Sequence, residues 1–156
     1  MKNLNLILIV LFLSGCATVN IPNYIVDENP YKQKLYASFD TALNATVNTL
    51  KDAGWEVEEI TKPSVFERSK DSIQGSQEVL LFTKIRETSM FLGSSFSRMN
   101  VYVRSGTDNV SEVEIRCITV NSVVFNKFTS YKKDRAVEKI FKHIQERLNN
   151  QKGQSS

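Results

Sequence analysis

Cysteine and histidine are the residues of this 156-residue chain best suited to nucleophilic or metal chemistry, and it holds two of the first and one of the second. A Cys–His pair makes a nucleophile when an electropositive, partly exposed setting lowers the thiol pKa. Cys117 instead follows Val113 and Ile115 at the inward positions of an alternating run, where a small buried hydrophobe is expected, and His143 stands beside the apolar stripe of a helix. A zinc site takes three or four ligands, and one histidine with scattered carboxylates gives no such spacing, so no metal is expected. Gly93-Ser94-Ser95 lacks the flanking strand, helix and lysine of a phosphate loop, and there is no G-x-S-x-G elbow. Glu56, Glu58 and Glu59 share a strand with core-facing Trp55 and Val57 and read as a solvated edge. No catalytic set and no cofactor follow from these residues.

Cys16 has a different setting. A positive Met1-Lys2 lead precedes an apolar run from Leu4 to Leu13, interrupted by Asn5. That run is half the roughly 20 residues a spanning helix needs, so residues 1–15 read as a secretory signal peptide. Leu13-Ser14-Gly15-Cys16 then resembles the lipobox of bacterial lipoproteins at all four positions. The resemblance implies cleavage between Gly15 and Cys16, diacylation on the Cys16 sulfur and acylation of the new amino group. Two or three acyl chains anchor stably where one binds marginally. An Asp after the cysteine retains many Gram-negative lipoproteins in the inner membrane; Ala17 therefore implies an outer-membrane protein facing the periplasm.

Without residues 1–15 the chain has 141 residues, enough for one domain that buries about two-thirds of its unfolded surface. Removing Lys2 from the 20 basic residues leaves 19 against 17 acidic, a balance that points away from nucleic acid. With Cys16 committed to lipid, Cys117 has no disulfide partner.

The elements that position these groups begin after a stretch, residues 16–34, that contains Pro22 and Pro30 and reads as a lipidated tether. Its isolated Ile21, Tyr24, Ile25 and Val26 suggest contact with the domain or the membrane surface. A single α+β domain is expected over 35–148. Phe39, Ala42, Leu43, Val47 and Leu50 predict a helix capped by Ser38 and stopped by Gly54. Strands are expected at Trp55–Glu59, Ser64–Arg68 and Val79–Ile85, the last apolar on both sides as a covered central strand would be. Met99, Val101 and Val103 alternate with Asn100, Tyr102 and Arg104, and Val113, Ile115 and Cys117 alternate with Glu114 and Arg116. These predict a hairpin with one wet face. The apolar stretch Val120–Phe128 either continues the strand or crosses back over the sheet. Val137, Ile140, Phe141, Ile144 and Leu148 predict a final helix over 133–148, followed by a disordered polar tail over 149–156. The expected architecture is an antiparallel sheet of about four strands with two amphipathic helices on one face, in the order α-β-β-β-β-α.

This order resembles the small helix-grip domains of envelope lipoproteins such as BamC, through the helix-Gly-aromatic-Val run at Leu50–Val57 and the apolar spacing of the last helix. The resemblance implies an accessory or binding role without catalysis. Met90, Phe91, Leu92 and Phe96 stand out because they occupy a connection that is normally polar, and exposed apolar patches often mark interaction sites. The expected function is a lipid-anchored, non-enzymatic domain that binds an envelope protein or acts as a scaffold. The alternative is a carrier of an acyl chain or other apolar ligand between sheet and helices.

Overall fold

The computed structural model describes residues 19–66, 76–123 and 126–154. Strand β1 (Tyr31–Leu35) precedes helix α1 (Phe39–Asp52), then come β2 (Val57–Thr61), a 3-10 turn (Pro63–Val65), β3 (Glu78–Thr83), β4 (Arg86–Met90), β5 (Gly93–Ser105), β6 (Ser111–Val123), β7 (Asn126–Ser130) and helix α2 (Asp134–Gln154). The domain is α+β, with two helices on one face of an antiparallel sheet. The sheet has seven strands rather than about four, and its first strand lies before the first helix.

The long hairpin of β5 and β6 is the axis of the sheet. Its ladder runs from Gly93 opposite Val123 to Ser105 opposite Ser111. Near the Ser105 end, β3 and then β2 extend the sheet from β5, and β1 extends it from β6. Near the Gly93 end, β4 takes the place beside β5 and β7 the place beside β6. The sheet is thus five strands wide at one end and four at the other.

Both helices cover the face that carries Leu81, Met99, Val101, Val103, Val113, Ile115 and Cys117. They contribute Ala42, Ala45 and Leu50 from α1 and Val137, Ile140, Ile144 and Leu148 from α2 to one buried cluster. The N-terminus of α1 is capped as the sequence suggested, with the Thr41 amide donating to Ser38 Oγ. At the other end Gly54 adopts φ +77°, and the amides of Gly54 and Trp55 close on the carbonyls of Lys51 and Leu50. That pair of bonds is the glycine-terminated helix stop, and the left-handed φ is why a glycine stands there.

Several expectations are corrected. The 149–156 tail continues α2 as helix through Gln154, and Pro63–Val65 is a 3-10 turn where a short strand was expected. Beta strand β3 ends at Thr83, leaving Ile85 exposed. Val120–Val123 continues β6. The largest difference concerns the face expected to be wet: Asn100, Tyr102, Glu114 and Arg116 are buried and Arg104 half-buried, and Arg98 on the same face is buried as well. They are covered by residues 19–29, within the stretch read as a tether, and Tyr31–Lys34 of that stretch, with Leu35, pair with β6.

Replacement of Ile140, buried between α2 and the sheet, by Ala is expected to cost about 2–5 kcal/mol through lost burial and the cavity left behind. Ile60→Ala, at a position 55 % exposed, is expected to stay within about 0.5 kcal/mol of the parent. Urea titration of both variants measures the difference.

Candidate functional site

Residues 19–29 form a strap across the sheet face opposite the helices, and a carboxamide holds it. The Ile25 amide donates to Asn100 Oδ1 (2.6 Å), while Asn100 Nδ2 donates to the Asn23 carbonyl (3.0 Å). A side chain in the middle of β5 thereby pairs with the strap backbone much as a neighbouring strand would, so the strap's buried polar groups need no further strand. Arg98 adds a second clamp: its guanidinium bonds the Thr83 carbonyl, the Asn23 side chain and Glu58. Apolar contacts complete the seam, with Ile21 and Ile25 packed on Ile118 and Val120, and Val19 and Phe96 against that cluster.

Beside Ile25 the face is charged yet closed. Glu114 accepts from Arg104 Nη1 (2.9 Å) on one oxygen and from Arg116 Nε (2.7 Å) on the other, and Lys32 lies 3.3 Å away. Both guanidiniums approach the Tyr102 ring, at 4.6 and 4.5 Å, and Arg116 also donates to Tyr24 Oη and reaches the Ile25 carbonyl. Phe66 stacks on Tyr24 at 5.3 Å between ring centroids. Burial alone pushes the Glu114 carboxyl up, but the hydrogen bond and charge of Arg104, with those of Arg116, outweigh it and hold the group below its ordinary range. These groups satisfy one another and the strap, which makes the network a structural tie.

The sequence candidates for chemistry are not brought together. Cys117 is buried, its Sγ faces the Tyr131 carbonyl at 3.6 Å, and burial pushes the thiol up to about 11, far from a reactive thiolate. The charged groups acting on it are Lys133, Asp27, Lys132 and Asp134, while His143 lies half-buried on α2. Lys133 caps Ser97 Oγ (2.7 Å) and lies over the Trp55 ring; burial lowers its pKa. Ser97 is itself inside the β5–β6 ladder and bonded to Thr119. Glu56 pairs with Lys84, and Glu58 reaches the buried Arg98 rather than standing free in solvent. No group of three or more metal-ligating side chains occurs among the described residues.

Cys16 and Gly15 lie outside the described residues. The other residues singled out divide sharply. Met90 ends β4 and pairs with Gly93, so Phe91 and Leu92 alone make the turn. Two-residue hairpin turns favour Asn, Asp and Gly. Here Phe91 is 99 % exposed, Leu92 57 % and Met90 40 %, so they contribute little to the core. Gly93 is fixed by close approach: a Cβ there would lie 1.9 Å from the Ser122 carbonyl oxygen. Phe96 does not share the exposed patch; it turns onto the strap cluster. The strap contacts of Asn100 and Arg116 were not anticipated, because alternation assigned them to solvent, and Arg98 lay outside that alternation. The signal for the strap itself was the isolated Ile21, Tyr24, Ile25 and Val26, of which Ile21, Tyr24 and Ile25 do pack on the domain while Val26 stays exposed. In comparison with known proteins the chain matches no family model, and no curated protein matches it.

Because the folded state binds the Glu114 proton less readily than the unfolded chain, the ion network's stabilisation is full above the ordinary value of 4.5. It is lost as pH falls through the lower folded value. Glu114→Gln is expected to destabilise by about 3 kcal/mol near pH 7, by removing the carboxylate that the buried Arg116 and the half-buried Arg104 share. That gap is expected to shrink below pH 4.5, as measured by thermal melts across pH. Cys117 is expected to resist alkylation at pH 8 in the native protein and to react promptly in denaturant, read by mass spectrometry.

Proposed function

We propose that the chain is a lipid-anchored bacterial envelope protein whose folded part is a non-enzymatic binding or scaffolding domain held against the membrane, the outer membrane in a Gram-negative host. The observation that carries this reading is the position of the lipobox-like Leu13-Ser14-Gly15-Cys16: its thiol stands three residues before Val19, where the strap begins. The modified terminus would then be joined to the domain almost without a spacer. Three residues span at most about 11 Å. A thioether-linked diacylglyceryl group on Cys16, with a third chain on its amino group, would supply the anchoring, and the strap would transmit it to the sheet.

A binding or scaffolding role is favoured over a carrier by how the helix–sheet interface is filled. Leu35, Leu50, Leu81, Val101, Ile115 and Ile140 meet there with no exposure above 1 %. An open groove of about 480 Å³ lies instead on the outside of α2, against Gln33 of β1, and is rimmed by Glu138, Lys142 and Glu146. Phe141 lines it, but the groove is open to solvent and would enclose little of an acyl chain.

Expression in a bacterial host followed by detergent phase partition tests the anchor. The wild-type protein is expected in the detergent phase with a mass fitting an acylated Cys16 as first residue. Cys16→Ser is expected to remain uncleaved or to enter the aqueous phase. A wild-type protein recovered with an unmodified Cys16 thiol would overturn the reading. Native mass spectrometry of the folded domain checks the role, with no co-purified apolar ligand expected.

A further inference from the structure

We infer that the β4–β5 hairpin tip, Met90-Phe91-Leu92, is a second membrane contact that inserts into the interfacial region of the bilayer beside the lipid anchor. The inference rests on the anchor reading of Cys16 and adds to it a face and an orientation.

The place of Val19 fixes which end of the domain meets the bilayer. The Ile25 amide and the Asn23 carbonyl are bonded to Asn100 and the Asn23 side chain to Arg98, while Ile25, Ile21 and Val19 all belong to the cluster with Ile118, Val120 and Phe96. The amino-terminal end of the strap, at Val19, therefore packs on the half of the ladder nearer Gly93. Phe96 is three residues from Gly93, about 10 Å at the rise of a strand, and ten residues from Gly106 at the opposite turn, roughly 33 Å. Since Cys16 is confined to within about 11 Å of Val19, the bilayer surface has to come close to the Phe96–Val120 end and cannot lie at the Gly106 end.

The tip at that end has the chemistry of a lipid contact. Phe91 projects almost entirely from the fold and Leu92 by more than half, in a turn whose geometry asks for small or polar residues. The strands that carry them are exposed along β4 and paired up to Met90 opposite Gly93, so the ladder leaves only the two turn residues outside it at the tip. That matters because an unpaired amide or carbonyl is costly in lipid. The opposite turn is polar, Gly106-Thr107-Asp108-Asn109, with Asp108 and Asn109 in left-handed conformation. Only one end of the long hairpin is thus suited to an apolar medium.

The test uses the full lipidated protein, labelled with an environment-sensitive fluorophore through Phe91→Cys or, as the distal control, Thr107→Cys. Neither residue is in the core, and the buried Cys117 leaves the new thiol as the reactive one. The protein is reconstituted in vesicles of phosphatidylethanolamine and phosphatidylglycerol containing spin-labelled phosphatidylcholine. The probe at 91 is expected to shift to the blue and lose roughly half its emission to the quencher, as for a group about 5–10 Å into the headgroup boundary. The probe at 107 is expected to keep its aqueous spectrum. Vesicle-bound protein in which both probes stay aqueous, or both are quenched alike, overturns the contact while leaving the anchor intact. A blue shift at 91 that grows with protein concentration without vesicles would assign the tip to a second copy of this chain and overturn it as well. Protein that neither floats with vesicles nor carries acyl mass would remove the anchor itself, and mass spectrometry separates that failure from the others.

Discussion

The continuous ladder between β5 and β6 is the constraint on which the other elements depend. Thirteen residues of each strand stay in register from Gly93 opposite Val123 to Ser105 opposite Ser111, and each remaining strand but β2 pairs with one of the two. A slip of β6 by one residue would turn Ile115 away from the helices and push Arg116 into the core. The bend where β3 gives way to β4 shows how the ladder is kept intact. There the Thr83 hydroxyl engages both the amide and the carbonyl of Met99, and Arg98 supplies the Thr83 carbonyl with a donor. Side chains thus take over where the neighbouring strand lapses.

The two faces of that hairpin are buried by different physics. Against the helices, burial is apolar and draws on the helical periodicity of α1 and α2. Against the strap, burial is largely polar and succeeds because each group has a partner: Asn100 for the strap backbone, Arg98 for Thr83 and Asn23, Glu114 for two guanidiniums. A buried charge with its partner removed is far costlier than a lost surface pair. The strapped face consequently tolerates little change even though its composition looks like that of a solvated one.

What the sequence discloses follows from which elements bury side chains. The two helices, β3 and the inner part of the hairpin announce themselves by apolar spacing, down to Ser38 and Gly54 at the ends of α1. Beta strands β4 and β7 carry Arg-Glu-Thr-Ser-Met and Asn-Lys-Phe-Thr-Ser, nearly all exposed, and are held mainly by backbone pairing, with Arg86 of β4 also reaching the Ala53 carbonyl and the Trp55 ring. Edge strands of that kind leave no periodic trace. Strand β1 hides for a related reason: its Lys32 and Lys34 alternate with Tyr31, Gln33 and Leu35, and only Leu35 is fully buried. Alternation along β5 and β6 reports correctly which residues share a face. It carries no information on what covers that face, because the cover comes from far away in the chain and contacts it through hydrogen bonds. The run around Phe91 stands out because its residue types conflict with a hairpin connection, yet residue type does not tell exposure: Phe91 projects into solvent while Phe96, of the same character, turns inward.

The clamps on the strap also have a mechanical consequence. Because Asn100 grips the strap at Ile25 and Asn23 and Arg98 grips it at Asn23, a pull applied at Val19 in the plane of the sheet loads the two clamps together, in shear. Bonds loaded in parallel share the force, whereas a strap leaving at right angles would open them one after another, as a zipper opens. The domain is therefore built to resist drag between its amino-terminal end and its folded body, and to yield more readily if that end is peeled sideways from the sheet.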